Sequence, residues 1–316
     1  MKRILVFFVV LIIVGGACVA WLRGRDPESR TLDAAARSGV PGQFVRLSDG
    51  VTHVEVGGPP DGPRVVLVHG FSVPAYIWDT TFLALTNAGF RVARYDMFGR
   101  GWSDRPDARY GLSMFDRQLR ELLDTLGWRE PVDVAGLSFG GPVTATFVAA
   151  HPDRVRSWTL VDPAAGGPQT TPRFFSWPLV GGVLWQGMAV PRMAEGQFTD
   201  FVSPARWPGW DDRYRVQMQY RGFGRALLRT RQATEGLVTD TLYARAGATR
   251  VPTLLIWGTE DHTVPIANAA GVRKAIPQAE YHAIDSTGHL PIMERSGIVS
   301  PMLIDFLRRQ SIKHSS

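Results

Sequence analysis

The stretch "VDVAGLSFGGPV", Val132 to Val143, begins as an apolar run broken by one aspartate and then sets a single serine between glycines. Val132–Ser138 reads as a strand buried on both faces, because its side chains are mostly aliphatic and do not alternate with polar ones. The "GGPVTATFVAAHP" that follows reads as a helix. Gly136-Leu137-Ser138-Phe139-Gly140 is then a tight strand-to-helix turn, in which larger side chains at the glycines would strike neighbouring elements. Such a turn aims a helix N-terminus at whatever reacts with Ser138 and offers the Phe139 backbone N–H to a developing oxyanion.

A serine hydroxyl is a weak nucleophile at neutral pH, so it needs a base, and the base needs an orienting acid. Candidates for both lie downstream. After "LLIWG" comes Thr259-Glu260-Asp261-His262, and after "AEYHAID" comes "STGHLP" with His289. Each follows the C-terminal end of an expected strand, where both would converge on Ser138. His289 is the expected base and Asp261 the expected acid, with Glu260 and Asp162 as rival acids. His53, His151, His262, His282 and His314 have no matching constellation and read as surface or packing residues. Upstream, "VVLVHGF" ends a strand in His69-Gly70-Phe71, whose Phe71 backbone N–H can point at the same oxygen as that of Phe139. His69 reads as a support for that loop, and Asp96, Gly99, Gly101 and Ser103 of "YDMFGRGWSDRP" read as holders of turns.

Around this centre, short strand-like runs alternate with helix-length amphipathic stretches from about Gly42 onward. "GQFVRLS" and "VTHVEV" predict an opening hairpin turning at Asp49-Gly50. Arg64–Gly70, Arg91–Asp96, Val132–Ser138, Arg156–Asp162, Pro252–Gly258 and Ala279–Asp285 predict six more strands. In "MFDRQLRELLDTLG", Phe115, Leu119, Leu122, Leu123 and Leu126 recur at helical spacing. The pattern predicts an α/β fold with a mostly parallel eight-stranded sheet flanked by helices.

One interval breaks the alternation. Nearly ninety residues separate the strand ending at Asp162 from the one starting at Pro252, far more than a connecting loop needs. Its many aromatics, Trp177, Trp185, Trp207 and Trp210 among them, predict a helical cap inserted after strand 6 over the sheet edge where such folds place ligands. The organisation expected is a hydrophobic segment at 1–22, a linker at 23–41, a core at 42–166 and 251–312, and a cap at 167–250.

Charge and the N-terminus bound the partners. The formal charge of +6 is spread along the chain rather than gathered in a basic stripe, which argues against nucleic-acid binding. The interval from 163 to 251 holds eleven Arg against six acidic residues, a surplus that reads as a solvated surface. The one cysteine, Cys18, excludes an intrachain disulfide. It sits in "ILVFFVVLIIVGGACVAWL", Ile4 to Leu22, an uncharged run that would be about 28 Å long as a helix. That run predicts a membrane anchor with an extracytoplasmic domain behind it. The alternatives are a signal peptide cut near Ala17 or Ala20 and lipidation of Cys18, although Gly15 departs from the usual lipoprotein pattern. Nothing in the sequence specifies an oligomeric state.

The succession HGF, DMFGRGWSDRP, GLSFGG, WGTEDHTVP and GHLP, over residues 42 to 310, resembles the α/β-hydrolase fold superfamily in its serine hydrolase branch. The resemblance implies Ser138, Asp261 and His289 as nucleophile, acid and base, Phe71 and Phe139 as oxyanion donors, and neither metal nor organic cofactor. Serine in place of aspartate at the turn argues against the haloalkane dehalogenase and epoxide hydrolase branches. Leu137 stands where carbon–carbon bond hydrolases commonly carry Asn. The expected activity is hydrolysis of a small-molecule carboxylic ester, apolar or lipid-like. An enol-lactone or carbon–carbon bond hydrolase, a cofactor-free haloperoxidase-like perhydrolase and a noncatalytic binding protein are the alternatives.

Overall fold

The computed structural model describes residues 2–167, 170–178 and 180–315. Eight strands form one sheet: β1 (Gln43–Leu47), β2 (Gly50–Gly57), β3 (Arg64–Val68), β4 (Arg91–Tyr95), β5 (Val132–Leu137), β6 (Val155–Val161), β7 (Thr253–Gly258) and β8 (Glu280–Ile284). Their order is β1-β2-β4-β3-β5-β6-β7-β8. β1 and β2 pair antiparallel, β2 runs antiparallel to β4, and every later pairing is parallel. Each strand expected from the sequence is present within one or two residues. The opening turn lies one residue earlier than expected, at Ser48-Asp49, because Gly50 already pairs with Leu47. Glu121 fixes that turn by accepting hydrogen bonds from both the N–H and the hydroxyl of Ser48.

β5 runs through the centre and every one of its side chains is buried. Val132 and Val134 join the apolar cluster on one face of the sheet, Ala135 and Leu137 the cluster on the other. Its one charge, Asp133, is matched in the next strand: Arg156 donates to it, and so does Ser157 Oγ at 2.7 Å. A buried carboxylate without those donors would cost several kcal/mol, so the aspartate inside an apolar strand is tolerated only because its neighbours answer it. The helix Gly140–Ala150 follows β5 and is buried along most of its length. Trp158 of β6 donates its indole N–H to Thr144 Oγ1 of that helix at 2.9 Å, locking the two together.

Between β6 and β7 the chain forms the helices Trp210–Met218, Phe223–Ala233 and Thr239–Gly247, preceded by a series of short helical turns. Phe175, Trp185, Phe201, Trp210, Tyr214 and Phe223 from this interval share an apolar cluster with one face of the sheet. Thr239–Gly247 instead joins the opposite cluster through Leu242, Tyr243 and Ala246. The N-terminal helix Lys2–Gly24 is the one helix among the described residues long and apolar enough to cross a membrane, and no described side chain of its apolar window is buried. Residues 25–30 are tied to the interval above. Arg25 Nε donates to the Gly187 carbonyl at 3.2 Å, and the Glu28 carboxylate accepts the Gly222 and Gly224 N–H groups.

The glycines around Ser138 are required by close approach. A Cβ on Gly140 would stand 2.4 Å from the Val68 carbonyl oxygen, and one on Gly136 would stand 2.5 Å from the Gly140 oxygen. Gly140→Ala is therefore expected to lower unfolding free energy by about 1–3 kcal/mol, as overpacking against backbone does. Gly297→Ala, whose added Cβ meets nothing within 4 Å inside the helix Ser296–Ser315, should be neutral or stabilising by up to about 1 kcal/mol. Chemical denaturation of both variants checks the contrast.

Candidate active site

Parallel strands bring their C-terminal ends to one edge, and the sequence-predicted residues stand there. Ser138 follows β5 with a φ of 53°, in the left-handed region. A non-glycine residue is strained in that conformation, by about 1–3 kcal/mol, and persists only where its surroundings hold it. Three hydrogen bonds do so: Ser138 N–H donates to the Val161 carbonyl at 3.0 Å, and the Ser138 carbonyl accepts Gly141 N–H at 2.8 Å and Ala164 N–H at 2.9 Å. The side chain is half-buried and lines a cavity of about 400 Å³. His289, Phe71 and Phe139 line the same cavity.

His289 lies in the loop after β8. Its Nδ1 is 2.7 Å from Asp261 Oδ2, in the loop after β7. Asp261 Oδ1 accepts the Thr263 and Val264 N–H groups, each at 2.8 Å. Both Asp261 oxygens thus serve as acceptors, so the proton between the two residues sits on Nδ1 and leaves Nε2 free to accept one. Burial alone would depress the imidazole, but the hydrogen bond and charge of Asp261, with the charge of Asp200, outweigh it and raise the pKa of His289 above 6.5.

Neither rival acid bonds the His289 ring among the described hydrogen bonds. Glu260 is exposed. Asp162, with a φ of 41° at the end of β6, is fully buried, accepts Gly258 N–H at 2.8 Å and turns its carboxyl toward that of Asp261. Burial first, and then the charge of Asp261, push its carboxyl well above the usual range. Two neighbouring buried carboxylates cannot both ionise cheaply, and Asp162, with a single N–H donor, is the one that holds its proton. Donor atoms of Asp162, Asp261 and His289 do lie within 4.8 Å of one another, as a metal site would require. However, His289 Nδ1 is engaged with Asp261, whereas a zinc ligand nitrogen must present a bare lone pair about 2.0–2.1 Å from the ion. The donor set suits a proton better than a cation.

Phe71 and Phe139 pack edge to face with ring centroids 6.1 Å apart, which holds their loops side by side. Neither backbone N–H donates to a carbonyl among the described turn and loop hydrogen bonds. Gly70 lies directly against the serine, since a Cβ there would be 3.2 Å from Ser138 Cβ. His69 supports the loop: Nε2 accepts Met97 N–H at 2.9 Å, and Nδ1 faces the Gly70 carbonyl at 2.9 Å. Burial lowers its pKa to about 4, so it stays neutral. Asp96 accepts hydrogen bonds from Ala75 and Trp102 and pairs with His53 at 2.8 Å, holding turns as expected.

Two positions escaped the sequence reading. Asp200 lines the cavity, its carbonyl accepts His289 N–H at 2.8 Å, and its carboxylate accepts Thr263 Oγ1 at 2.6 Å. Glu294, buried five residues after His289, accepts N–H groups of Val202, Ser203 and Gly288 and so joins the histidine loop to the segment above it. Glu294 could have been suspected as an acid inside the apolar "HLPIME"; Asp200 sits in an aperiodic stretch with no local signal.

Strand order and turn define an α/β fold that gathers Ser138, Asp261 and His289 beyond the ends of parallel strands. Residues 63–296 match the family model of the alpha/beta hydrolase fold, and the chain belongs to that family. Lipase 1 of Psychrobacter immobilis is 26% identical over 241 residues, 74% of this chain and 73% of that protein. A 2-hydroxy-6-oxononadienedioate/2-hydroxy-6-oxononatrienedioate hydrolase of Dechloromonas aromatica is 28% identical over 300 residues, 88% of this chain and 98% of that one. A thermophilic esterase from Thermogutta terrifontis, solved with malate bound, superposes with a TM-score of 0.73 at 23% identity, covering 85% of this chain and 99% of that one.

Asp162 makes a prediction with a definite sign. Because its folded-state pKa is raised, the folded protein holds a proton that the unfolded chain releases above about pH 4, and stability falls as pH rises from there. The slope is at most about 1.4 kcal/mol per pH unit until the folded-state group ionises. Asp162→Asn removes this slope, so its denaturation midpoint relative to wild type should climb between pH 4 and pH 8.

Proposed function

We propose that the protein is a serine hydrolase that cleaves carboxylic esters through an acyl-Ser138 intermediate. The observation that carries the reading is the strained Ser138 turn in the wall of a cavity shared with a histidine whose far nitrogen is bonded to a buried carboxylate. His289 Nε2 takes the hydroxyl proton as Ser138 Oγ attacks the ester carbonyl, and the imidazolium formed is stabilised by Asp261. The N–H groups of Phe71 and Phe139 receive the oxyanion. Collapse expels the alkoxide, which leaves as the alcohol with the proton from His289. Water, deprotonated by the same nitrogen, then attacks the acyl-enzyme and releases the acid and free Ser138.

Val73, Ile77, Leu137, Val264 and Leu290 give the cavity apolar walls, which suits an aliphatic or aryl ester. The N-terminal helix acts as an anchor or signal in this reading. Its Leu22 is buried, and a Cβ on Gly187 would come within 2.8 Å of the Leu22 side chain, so the segment above the cavity is held near any membrane the helix enters. The relationship to the oxononadienedioate hydrolase, over nearly its whole length, favours a second reading, hydrolysis of an unsaturated oxo-acid by the same serine.

Pre-steady-state hydrolysis of 4-nitrophenyl esters tests the first reading. Wild type should release a burst of nitrophenol equal to the enzyme present, and Ser138→Ala should release none. Asp261→Asn should lower kcat by up to about 10⁴-fold, with a far smaller loss for Asp162→Asn. Activity requires neutral His289, so kcat/KM should rise with pH through an inflection above 6.5. Asp200→Asn, which removes a charge that favours the imidazolium, should move that inflection down. A burst retained by Ser138→Ala would remove the serine from the mechanism.

A further inference from the structure

Arg231 stands in the last turn of the helix Phe223–Ala233 and lines the cavity that holds Ser138 and His289. Among the described lining residues it is the one arginine or lysine. Its guanidinium lies 5.1 Å from the Phe71 ring centroid and 6.0 Å from that of Trp185. Its Nε is buried without a hydrogen-bond partner, and none of the described ion pairs includes it. Arg229, two residues earlier on the same helix, is paired with Asp107.

The surroundings do not neutralise this charge. On Phe71 lies a second guanidinium, that of Arg100, 5.4 Å from the ring centroid and fully buried. Arg100 donates to neutral acceptors, the carbonyls of Phe71 and Phe98 and the hydroxyl of Thr230. The acidic residue lining the cavity, Asp200, is engaged with Thr263 and stands against the His289 loop. Burial lowers the pKa of Arg231, and no carboxylate counters that effect. A partly desolvated guanidinium with an idle N–H is costly unless something supplies the missing acceptor. Packing on Phe71 rewards the cation but uses none of its donors.

We infer that Arg231 binds a carboxylate of the substrate, so that the preferred esters are monoanions carrying an acid group on an otherwise apolar skeleton. The inference rests on the reading of Ser138 as the nucleophile. A planar fork of N–H donors matches a carboxylate, and the one guanidinium in the cavity wall offers a counter-charge to one anionic group. Dianions such as phosphate monoesters would bring a second charge with no partner among the described lining residues.

The test uses esters matched in length that differ in one terminal group: 4-nitrophenyl hexanoate and the 4-nitrophenyl half-ester of adipic acid. The ratio of kcat/KM for half-ester over hexanoate is read within each protein, so any loss common to both substrates cancels. Wild type should favour the half-ester, and Arg231→Gln should lower the ratio about ten- to a hundredfold, the worth of a charge-assisted hydrogen bond. Arg231→Lys, which keeps the charge without the fork, should recover part of it. A ratio unchanged by Arg231→Gln, or equal losses on both esters, would overturn the inference while leaving the serine mechanism standing. Should wild type turn over neither ester, the esterase reading fails by itself. Calorimetric binding of hexanoate, a monoanion on an apolar skeleton, then decides for Arg231: at least tenfold weakening in Arg231→Gln supports it, and equal or undetectable binding by both proteins overturns it.

Discussion

A single peptide unit in the left-handed region, at Ser138, sets the terms for everything around it. A side chain there is unfavourable by about 1–3 kcal/mol, and the protein offsets this by tying the serine's N–H to β6 and its carbonyl to both Gly141 and Ala164. Those bonds require β6 beside β5, in the register that pairs Leu137 with Val161. They also require bare glycines at 136 and 140, where the Val68 and Gly140 carbonyls leave no room for a methyl group. The same strain recurs along this edge of the sheet: Asp162 ends β6 at a φ of 41° and Ser286 follows β8 at 54°. Abrupt turns there reverse the chain at the strand ends without a long loop that would have to be ordered.

Electrostatics then separates residues that composition alone would treat alike. Asp162 and Asp261 are both buried beside His289, yet one accepts a single N–H and keeps its proton while the other accepts three. His69 and His289 differ in the same way. His69 meets a backbone N–H and a carbonyl and falls to about 4, whereas His289 meets a carboxylate and rises. The distribution of backbone donors, set by the loops after β6, β7 and β8, decides which groups are available for proton transfer.

The sheet was legible because its strands are aliphatic runs ended by glycine or aspartate, and β5, β6 and β7 are buried along nearly all of their length. The candidate residues Ser138, Asp261 and His289 were legible because each stands within five residues of a strand's C-terminal end. The segment between β6 and β7 was legible only as aromatic-rich. Its helices are short, it contains a π-helical turn at Trp185–Ala189, and its apolar faces are shared with the sheet rather than repeated at a helical period. Asp200 and Arg231 both come from there, and only tertiary packing sets them in the cavity wall. The linker tells the same story: Arg25 and Glu28 look like solvated charges in sequence, but each caps backbone groups more than 160 residues away.

The central claim is that the strained turn and the His289–Asp261 pair together activate one hydroxyl. Intact-mass analysis after exposure to a fluorophosphonate tests it most directly, with circular dichroism to show that each variant is folded. The account predicts one adduct per chain on wild type, mapped to Ser138, and none on Ser138→Ala or His289→Ala. Labelling of Ser138→Ala to the wild-type extent, or a folded wild type that takes no label, would contradict it.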